Sequence, residues 1–132
     1  MSVQVVMEAL VRALPVAALV GDRVYPLALP PSPTLSLPAI TLQRISTVRL
    51  DSQDGPAGLA RPRVQVNAWA RTYAQADELA NAVRVCLDGL RNAGTGGGII
   101  QGTFVAEDRD IYDSELKLHG RSADYLVWHE EE

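Results

Sequence analysis

The stretch Arg63-Val-Gln-Val-Asn-Ala-Trp-Ala70 alternates apolar and polar side chains along most of its length. Successive side chains of an extended chain point to opposite sides, so the two sets define two faces. The residues on one face are small and apolar: Val64, Val66, Ala68 and Ala70. Those on the other face are Arg63, Gln65, Asn67 and Trp69. This period of two predicts a strand with one face buried and the other free.

A helix is predicted directly after this strand. Thr72 is placed to cap its first turn, and Gln75 follows three residues later, as in a capping box. The apolar residues that recur at helical spacing are Ala76, Leu79, Ala80, Val83, Leu87 and Leu90. About 18 residues of helix rise roughly 27 Å, and a strand of about eight residues spans roughly 26 Å. The helix can therefore lie along the strand and cover its apolar face.

Upstream of the strand, the chain predicts another helix and then an extended segment. The helical pattern runs from Val3 to Leu14, with Ser2 as its cap and Pro15 as its expected end. Five prolines then fall within residues 25–38: Pro26, Pro30, Pro31, Pro33 and Pro38. Proline lacks the amide hydrogen that a helix or a central strand requires. Segment 25–38 is therefore expected to run extended over a surface.

A strand and a long loop are predicted between this segment and Arg63. Residues 39–49 are rich in β-branched residues, which favour strands. Residues 50–62 contain Asp54-Gly55-Pro56, Gly58 and Pro62, all typical of turns, and predict a loop of about a dozen residues. Loops of this length usually have a function.

The C-terminal part predicts two more strands. The glycines between Gly94 and Gly98 are expected to end the second helix and form a flexible connector. Strands are predicted over Ile99 to Glu107 and Leu116 to His129, with an acidic turn between them. The order αββαββ predicts an α+β fold, a two-layer sandwich in which an antiparallel sheet of about four strands carries two helices on one face. With 132 residues, the whole chain, 1–132, is expected to form a single domain.

Composition and charge argue against several classes of protein. The chain is 47% hydrophobic and 21% charged, as in ordinary globular proteins, and no apolar run is long enough to cross a bilayer. Residues 1–106 contain nine Arg and seven acidic residues, whereas residues 107–132 contain three basic and nine acidic residues. The net charge of −4 thus arises from +2 and −6 in these two parts. A protein that grips DNA normally has a basic stripe, and none is visible. We expect a protein that is made and used in a cytoplasm, with no contact with a membrane.

No pattern predicts a catalytic, cofactor or metal site. The glycines follow a helix and precede a strand, the reverse of a phosphate-binding loop. The acidic residues near Asp110 lack the glycine and the final glutamate of a calcium loop. His119 and His129 have no metal-ligand spacing and are expected to be exposed strand residues. No Gly-x-Ser-x-Gly motif is present, and the single cysteine, Cys86, falls in the apolar pattern of a helix.

Trp69 and Arg71 are the first candidates for contacts with a partner. The alternation of residues 63–70 points both side chains away from the helices, and Trp and Arg are favoured where a partner buries a surface. Equally, Trp69 could lie beneath the loop 50–62. The sequence leaves both interpretations open.

The strand and helix over residues 63–84, in this order and spacing, resemble the phage tail-completion family, which includes the head-tail joining and tail-terminator proteins of long-tailed phages. Further stretches fit the same family: Val20-Gly-Asp-Arg-Val-Tyr-Pro26, Leu37-Pro-Ala-Ile-Thr-Leu-Gln-Arg44 and Ser122-Ala-Asp-Tyr-Leu-Val-Trp128. The resemblance covers most of the chain and depends on the combination of these stretches, since each alone is generic.

The resemblance implies a structural virion subunit and not an enzyme. Such a subunit forms a ring, expected to contain six copies, on the last ring of tail-tube protein, stops tube growth and meets the head connector or head-completion protein. It would lie at the head-tail junction of the virion and be assembled in the host cytoplasm. DNA would pass through the lumen without specific binding, and no cofactor is implied.

Two hypotheses place residues in this role. The loop 50–62, including Leu50, Asp51, Leu59 and Arg61, is the candidate for an arm that reaches a neighbouring subunit or the tube. The acidic residues are the candidates for a lumen lining that repels DNA: Glu107, Asp108, Asp110, Asp113 and Glu115. Their alternative is a solvated surface that keeps the protein soluble.

Two other functions remain possible on the sequence alone. A small nucleic-acid-binding module can have the order αββαββ, but the negative charge, the single lysine Lys117 and the single phenylalanine Phe104 weigh against it. An enzyme of unrecognised type would need a deep pocket with convergent polar groups.

Overall fold

The computed structural model describes residues 6–7, 10–11, 13–31, 36–52, 55–88, 93–95 and 98–130. Two helices have defined bounds, α1 (Leu14–Val20) and α2 (Tyr73–Leu87). The strands are β1 (Val24–Pro26), β2 (Ala39–Ser52), β3 (Gly55–Ala70), β4 (Ala93–Thr95), β5 (Gly98–Asp113) and β6 (Leu118–Glu130).

All six strands belong to one sheet, in the order β1-β2-β3-β6-β5-β4. The four long strands are antiparallel to their neighbours, and β1 is parallel to β2. The α+β class is therefore confirmed. The prediction of about four antiparallel strands was incomplete, because two strands of three residues extend the sheet at its edges and one of them makes it mixed. Segments this short carry no periodic pattern in the sequence.

The alternation in residues 63–70 predicted the central strand correctly. Val64, Val66, Ala68 and Ala70 are buried, and the residues between them are only partly buried. Above this face, α2 contributes the buried side chains Ala76, Leu79, Val83 and Leu87. Removing each large aliphatic side chain from water stabilises the fold by about 1.5–3 kcal/mol. This contact between β3 and α2 is the centre of the hydrophobic core.

The start of α2 is also as predicted. The Thr72 hydroxyl accepts a hydrogen bond from the Gln75 amide at 3.2 Å, which pairs one of the free amides of the first turn. The helix ends at Leu87, where Asp88 takes an extended conformation. Cys86 lies near this end, half-buried at the margin of the core, and burial raises the pKa of its thiol.

The N-terminal region contains two helical stretches instead of one. Val6, Met7, Leu10 and Val11 are helical, and Val6 and Leu10 are fully buried. Ala13 is extended, and α1 begins at once with Pro15 in its first turn. Pro15 was expected only to end a helix, but a proline costs little in a first turn because no partner exists there for its missing amide hydrogen. The other residues of the predicted helix lie outside the described ones.

Of the proline-rich segment 25–38, Tyr25 and Pro26 belong to the short edge strand β1, and the other described residues, 27–31 and 36–38, are irregular. Its two ends are joined through Arg23. The guanidinium donates to the carbonyl of Pro38 at 2.9 Å and to that of Leu19 at 3.2 Å. The Ile40 amide donates to the carbonyl of Arg23 at 3.0 Å. These bonds fix the segment where it leaves and rejoins the sheet.

The prediction of a loop over residues 50–62 is wrong, because the chain forms a long hairpin there. β2 continues to Ser52 and β3 starts at Gly55, with Leu50 opposite Leu59. The register shifts between Leu50 and Asp51, which accommodates the glycine and proline residues without ending the strand pair. Pairs with β6 are formed at Leu59 and Ala60 and again from Arg63, and the gap coincides with Pro62, which has no amide hydrogen.

The predicted acidic turn and glycine connector are also mostly strand. β5 runs from Gly98 to Asp113, so only residues 114–117 form the turn before β6. In that turn, the Asp113 carboxylate accepts from the amides of Glu115 and Leu116, at 3.0 and 2.9 Å. At the other end, β4 pairs with Gly98 to Ile100 in a short hairpin within the glycine run. The strand predicted over Ile99 to Glu107 is part of β5, whereas β4 and the extension of β5 to Asp113 had no local signal because their support comes from pairing across the sheet.

Candidate interaction surface

One face of the sheet carries the core and the helices, and the opposite face is named here the open face. In its central part it is formed by Thr41, Gln43, Arg63, Gln65, Asn67, Trp69, Glu107, Arg109, Ser122 and Asp124, which stand opposite one another in the strand register. Among the described residues, the helix side chains of the core pack on the opposite face, and none of them packs on the open face. A sheet face of this kind is the largest surface that the fold leaves available for a partner.

Trp69 lies on the open face, away from the helices, as predicted. Its indole nitrogen donates to the Thr41 hydroxyl at 3.0 Å, and its ring lies beside Gly120. The alternative that Trp69 lies beneath a loop of residues 50–62 does not hold, since those residues form the hairpin. Arg71 follows the end of β3 and is exposed.

Four charged residues form a cluster at the centre of the open face. The Arg63 guanidinium contacts Asp124 at 2.9 Å and Glu107 at 3.5 Å. Arg109 lies 3.7 Å from Asp124 and 3.9 Å from Glu107. Asp124 is only 6% exposed, so its charge depends on these two arginines. Two positive and two negative charges leave the cluster neutral.

A polar row lies beside this cluster. The Asn67 amide donates to Thr41 at 3.3 Å and to Gln65 at 3.4 Å. The carbonyl oxygen of Asn67 and the hydroxyl of Ser122 are buried without a hydrogen-bond partner among the described residues. Buried polar atoms without partners are costly in a finished structure.

The acidic residues 107–115 do not form one patch. Glu107 lies on the open face, whereas Asp108 and Asp110 lie opposite Ala123 and Arg121 on the helix side. Arg121 contacts Asp110 at 3.0 Å, Asp108 at 3.7 Å and Asp77 of α2. Asp113 and Glu115 are at the tip of the β5–β6 hairpin and have no ion pair among the described residues. Three of the five carboxylates therefore contact arginines, although Arg121 alone faces three carboxylates and cannot neutralise them all.

The end of the sheet beside the start of α2 is aromatic. His119 makes edge contacts with Tyr112 and Tyr73, with ring centroids 5.1 and 6.4 Å apart. The Tyr73 hydroxyl donates to Asp110 at 3.2 Å, and the negative charge of Asp110 raises the pKa of Tyr73. His119 was expected to be exposed but is only partly so. The His129 side chain lies outside the described part.

At the base of the long hairpin, Arg61 stacks on Trp128, with its guanidinium carbon 5.4 Å from the ring centroid. A cation–π contact of this kind contributes about 0.5–1 kcal/mol at an exposed site. For Leu50, Asp51 and Leu59 the backbone is described but the side chains are not. These residues lie on the hairpin, with Leu50 opposite Leu59.

Sequence patterns missed Arg63, Asp124, Arg109 and Arg121. Arg63 and Asp124 are separated by 61 positions in the chain, so their contact has no local signal. Within the described residues, no group of three His, Cys, Asp or Glu side chains could hold a metal ion. Among the helices described, none has the length and apolar character required to span a membrane.

Comparison with solved structures identifies a known relative of the fold. The fold matches a chain from the "Virion of native gene transfer agent (GTA) particle" with a TM-score of 0.77 and 21% identity, covering 95% of this chain and 91% of that chain. The same fold is thus found in a chain of that gene transfer agent particle. A comparison with curated proteins gave no significant match.

The sequence identifies the particular family. The family model described as "Tail completion protein gp17" matches residues 4–130, and the chain belongs to this family. The predicted resemblance to bacteriophage tail-completion proteins is confirmed. The protein is a structural component of the virion, from a family of structural tail proteins and not of enzymes.

Proposed function

We propose that the protein forms a ring of six copies on the last ring of tail-tube protein, where it stops tube growth and joins the tail to the head connector. The observation that carries this proposal is the tail completion family match over residues 4–130. In this role it lies at the head-tail junction of the virion and is assembled in the host cytoplasm. An open sheet face and a projecting hairpin support the proposal, because a ring subunit needs two unlike contact surfaces.

The direct test is electron microscopy of the purified protein, alone and mixed with tail tubes. The expected result is rings of six copies that bind one end of each tube, with tube length fixed once the protein is present. Tubes that keep growing in its presence, or a protein that never binds them, would overturn the proposal.

Trp69 and Arg71 are the proposed contacts with the tube protein or the connector. Both are at the end of β3, where the indole is half-buried and the guanidinium exposed. Trp and Arg supply much of the binding energy of protein interfaces. Arg71→Ala should weaken tube binding about tenfold or more, whereas the matched control Arg84→Ala, at an exposed position of α2, should not. Equal binding by the two variants would remove Arg71 from the interface.

The hairpin 50–62 replaces the predicted loop as the proposed arm. Beyond the Leu50–Leu59 pair, the described chain places no third strand beside it. Its removal should therefore leave the sheet folded. In a variant that joins Leu50 to Leu59 by an Asn-Gly turn in place of residues 51–58, we expect a folded protein that no longer terminates tails. Normal termination by this variant would exclude the arm.

The acidic lumen is proposed for Asp113 and Glu115, the two carboxylates of this group that contact no arginine among the described residues. A wall with unpaired negative charge repels DNA and lets it pass. Glu115→Lys should slow genome passage without preventing assembly, and Glu78→Lys on the exposed side of α2 is the matched control. Carboxylates at the outer rim of a ring would exclude this assignment.

A nucleic-acid-binding role receives less support. Arg63, Arg109 and Arg121 are all paired with carboxylates, which leaves them poorly suited to bind phosphates. We therefore expect the protein to bind duplex DNA only weakly at every salt concentration. Micromolar binding that weakens steeply with added salt would favour the alternative module.

A further inference from the structure

The sheet ends in two long strand edges that its short outer strands cover only in part. β1 pairs with Ile40 to Leu42 alone, so the outer side of β2 has no strand partner over residues 43–52 in the described chain. β4 pairs with Gly98 to Ile100 alone. Further along β5, the Asp88 carboxylate accepts from the Val105 amide at 3.3 Å, and among the described residues no strand pairs with the outer side of residues 106–113. Uncovered edges of about eight to ten residues expose many backbone donors and acceptors.

The two edges have opposite charge. β2 contains Arg44, Arg49 and Asp51, for a net charge of +1, and Arg44 is exposed. The uncovered part of β5 contains four carboxylates, at positions 107, 108, 110 and 113, and one arginine, for a net charge of −3. Two β5 edges repel each other because both are negative, and two β2 edges have no charge attraction for each other. Charge complementarity favours the unlike pair.

Both edges also carry an irregularity. The register shifts between Arg44 and Ser46 in β2 and between Val105 and Glu107 in β5. Bulges and charged side chains are the usual protection of an edge against indiscriminate pairing. Here they restrict each edge to a partner with a matching shape and the opposite charge.

Strand directions permit this pairing without any change in the fold. Along the sheet, β2, β3, β6 and β5 alternate in direction, so β5 is antiparallel to β2. When β5 of a neighbouring copy in the same orientation meets β2, the alternation continues across the junction. A contact between two different surfaces is head-to-tail and closes into a ring when the rotation allows.

We propose that the uncovered edge of β2 pairs antiparallel with the uncovered edge of β5 in a second copy of this chain, and that this strand pairing is the contact that builds the ring. The inference rests on the proposed ring. Arg44 and the carboxylates of β5 select the partner edge, and the backbone hydrogen bonds supply the contact.

Disulfide crosslinking tests whether the β2 edge of one copy lies beside the β5 edge of the next. In a Cys86→Ala background, Ser46→Cys is combined in turn with Ala106→Cys, Asp108→Cys or Tyr112→Cys, all at exposed positions. Oxidation of at least one double variant should give a ladder of covalent oligomers up to the ring size, because each copy carries both halves of the contact. Each single-cysteine variant should stop at the dimer. If none of the three double variants passes the dimer, the pairing is overturned.

Charge reversal at Arg44 tests whether charge selects the partner edge. Arg44→Glu should raise the concentration needed for half-maximal ring assembly about tenfold or more, whereas Arg84→Glu, with the same charge change at an exposed position of α2, should leave it unchanged. Equal assembly by the two variants contradicts the role of Arg44. If the wild-type protein forms rings at tube ends but the double-cysteine variants give no ladder, only the strand pairing is refuted. A wild-type chain that stays monomeric, even with tubes, would refute both the pairing and the proposed function.

Discussion

The ring of Trp69 lies against Gly120 so closely that position 120 has no room for a side chain. A Cβ atom there would be 3.0 Å from Cε3 and Cζ3 of Trp69 and 2.7 Å from Cγ1 of Ile111. The indole is held on its other edge by the bond to Thr41. Gly120 therefore sets the position of Trp69 on the open face.

We expect Gly120→Ala to lower the free energy of unfolding by about 1–3 kcal/mol, because Ile111 and Trp69 must both move. Urea unfolding followed by tryptophan fluorescence measures the change. Gly102→Ala on β5 is the matched control, since its Cβ would be 3.4 Å from the Phe104 ring, an ordinary contact. Equal losses in the two variants would contradict this account of Gly120.

Thr72→Ala should lower the free energy of unfolding by about 1 kcal/mol, because the Gln75 amide loses its partner at the start of α2. Thermal unfolding followed by circular dichroism is a suitable measurement. Thr72→Ser keeps the hydroxyl and should retain most of the stability. A serine variant as unstable as the alanine variant would show that the methyl group, and not the cap, matters.

Arg121→Gln should lower the free energy of unfolding by about 1–2 kcal/mol, an effect between those of exposed and buried ion pairs. The arginine joins α2 to β5 and β6, and its loss leaves Asp77, Asp108 and Asp110 close together without a counter-charge. Added salt should restore part of the stability by screening their repulsion. Arg84→Gln should change little at any salt concentration. Unchanged stability of Arg121→Gln at low salt would disprove the effect.

Alkaline pH should destabilise the protein through Tyr125. Burial raises the pKa of this phenol far above its ordinary value of about 10. Its contribution to stability is complete below the pKa of the unfolded chain and is lost as pH rises towards the folded-state pKa. Above about pH 10, the free energy of unfolding should fall by up to about 1.4 kcal/mol per pH unit from this group.

Urea unfolding of Tyr125→Phe between pH 9 and 11 measures this contribution. The variant should lose less stability over that range than the wild type. Parallel pH profiles for Tyr125→Phe and the wild type would assign the alkaline loss to other groups.

Local patterns predicted the elements whose stability is decided locally. The alternation in residues 63–70 and the stripe from Ala76 to Leu87 each repeat over several turns or residues, so both were found. The hairpin 50–62 was missed because Pro56, Gly58 and Pro62 disfavour a strand locally, while the pairing that makes it a strand comes from β2 and β6.

The candidate surface was predicted in outline only. The orientation of Trp69 followed from the period of the strand, and the structure agrees with it. The charged cluster could not be predicted, because Arg63, Glu107 and Asp124 are distant in the chain and no local pattern pairs them. Likewise, no local pattern indicates that Asp108 and Asp110 form ion pairs, because their partner Arg121 is supplied by β6.

The bonds from Arg23 to Pro38 and Leu19 have a consequence for protein engineering. They tie the proline-rich segment at its base, so the sheet does not depend on how many residues lie between. Lengthening a surface connection costs little free energy when its ends are already fixed. A peptide tag inserted within the proline-rich segment should accordingly leave the sheet folded.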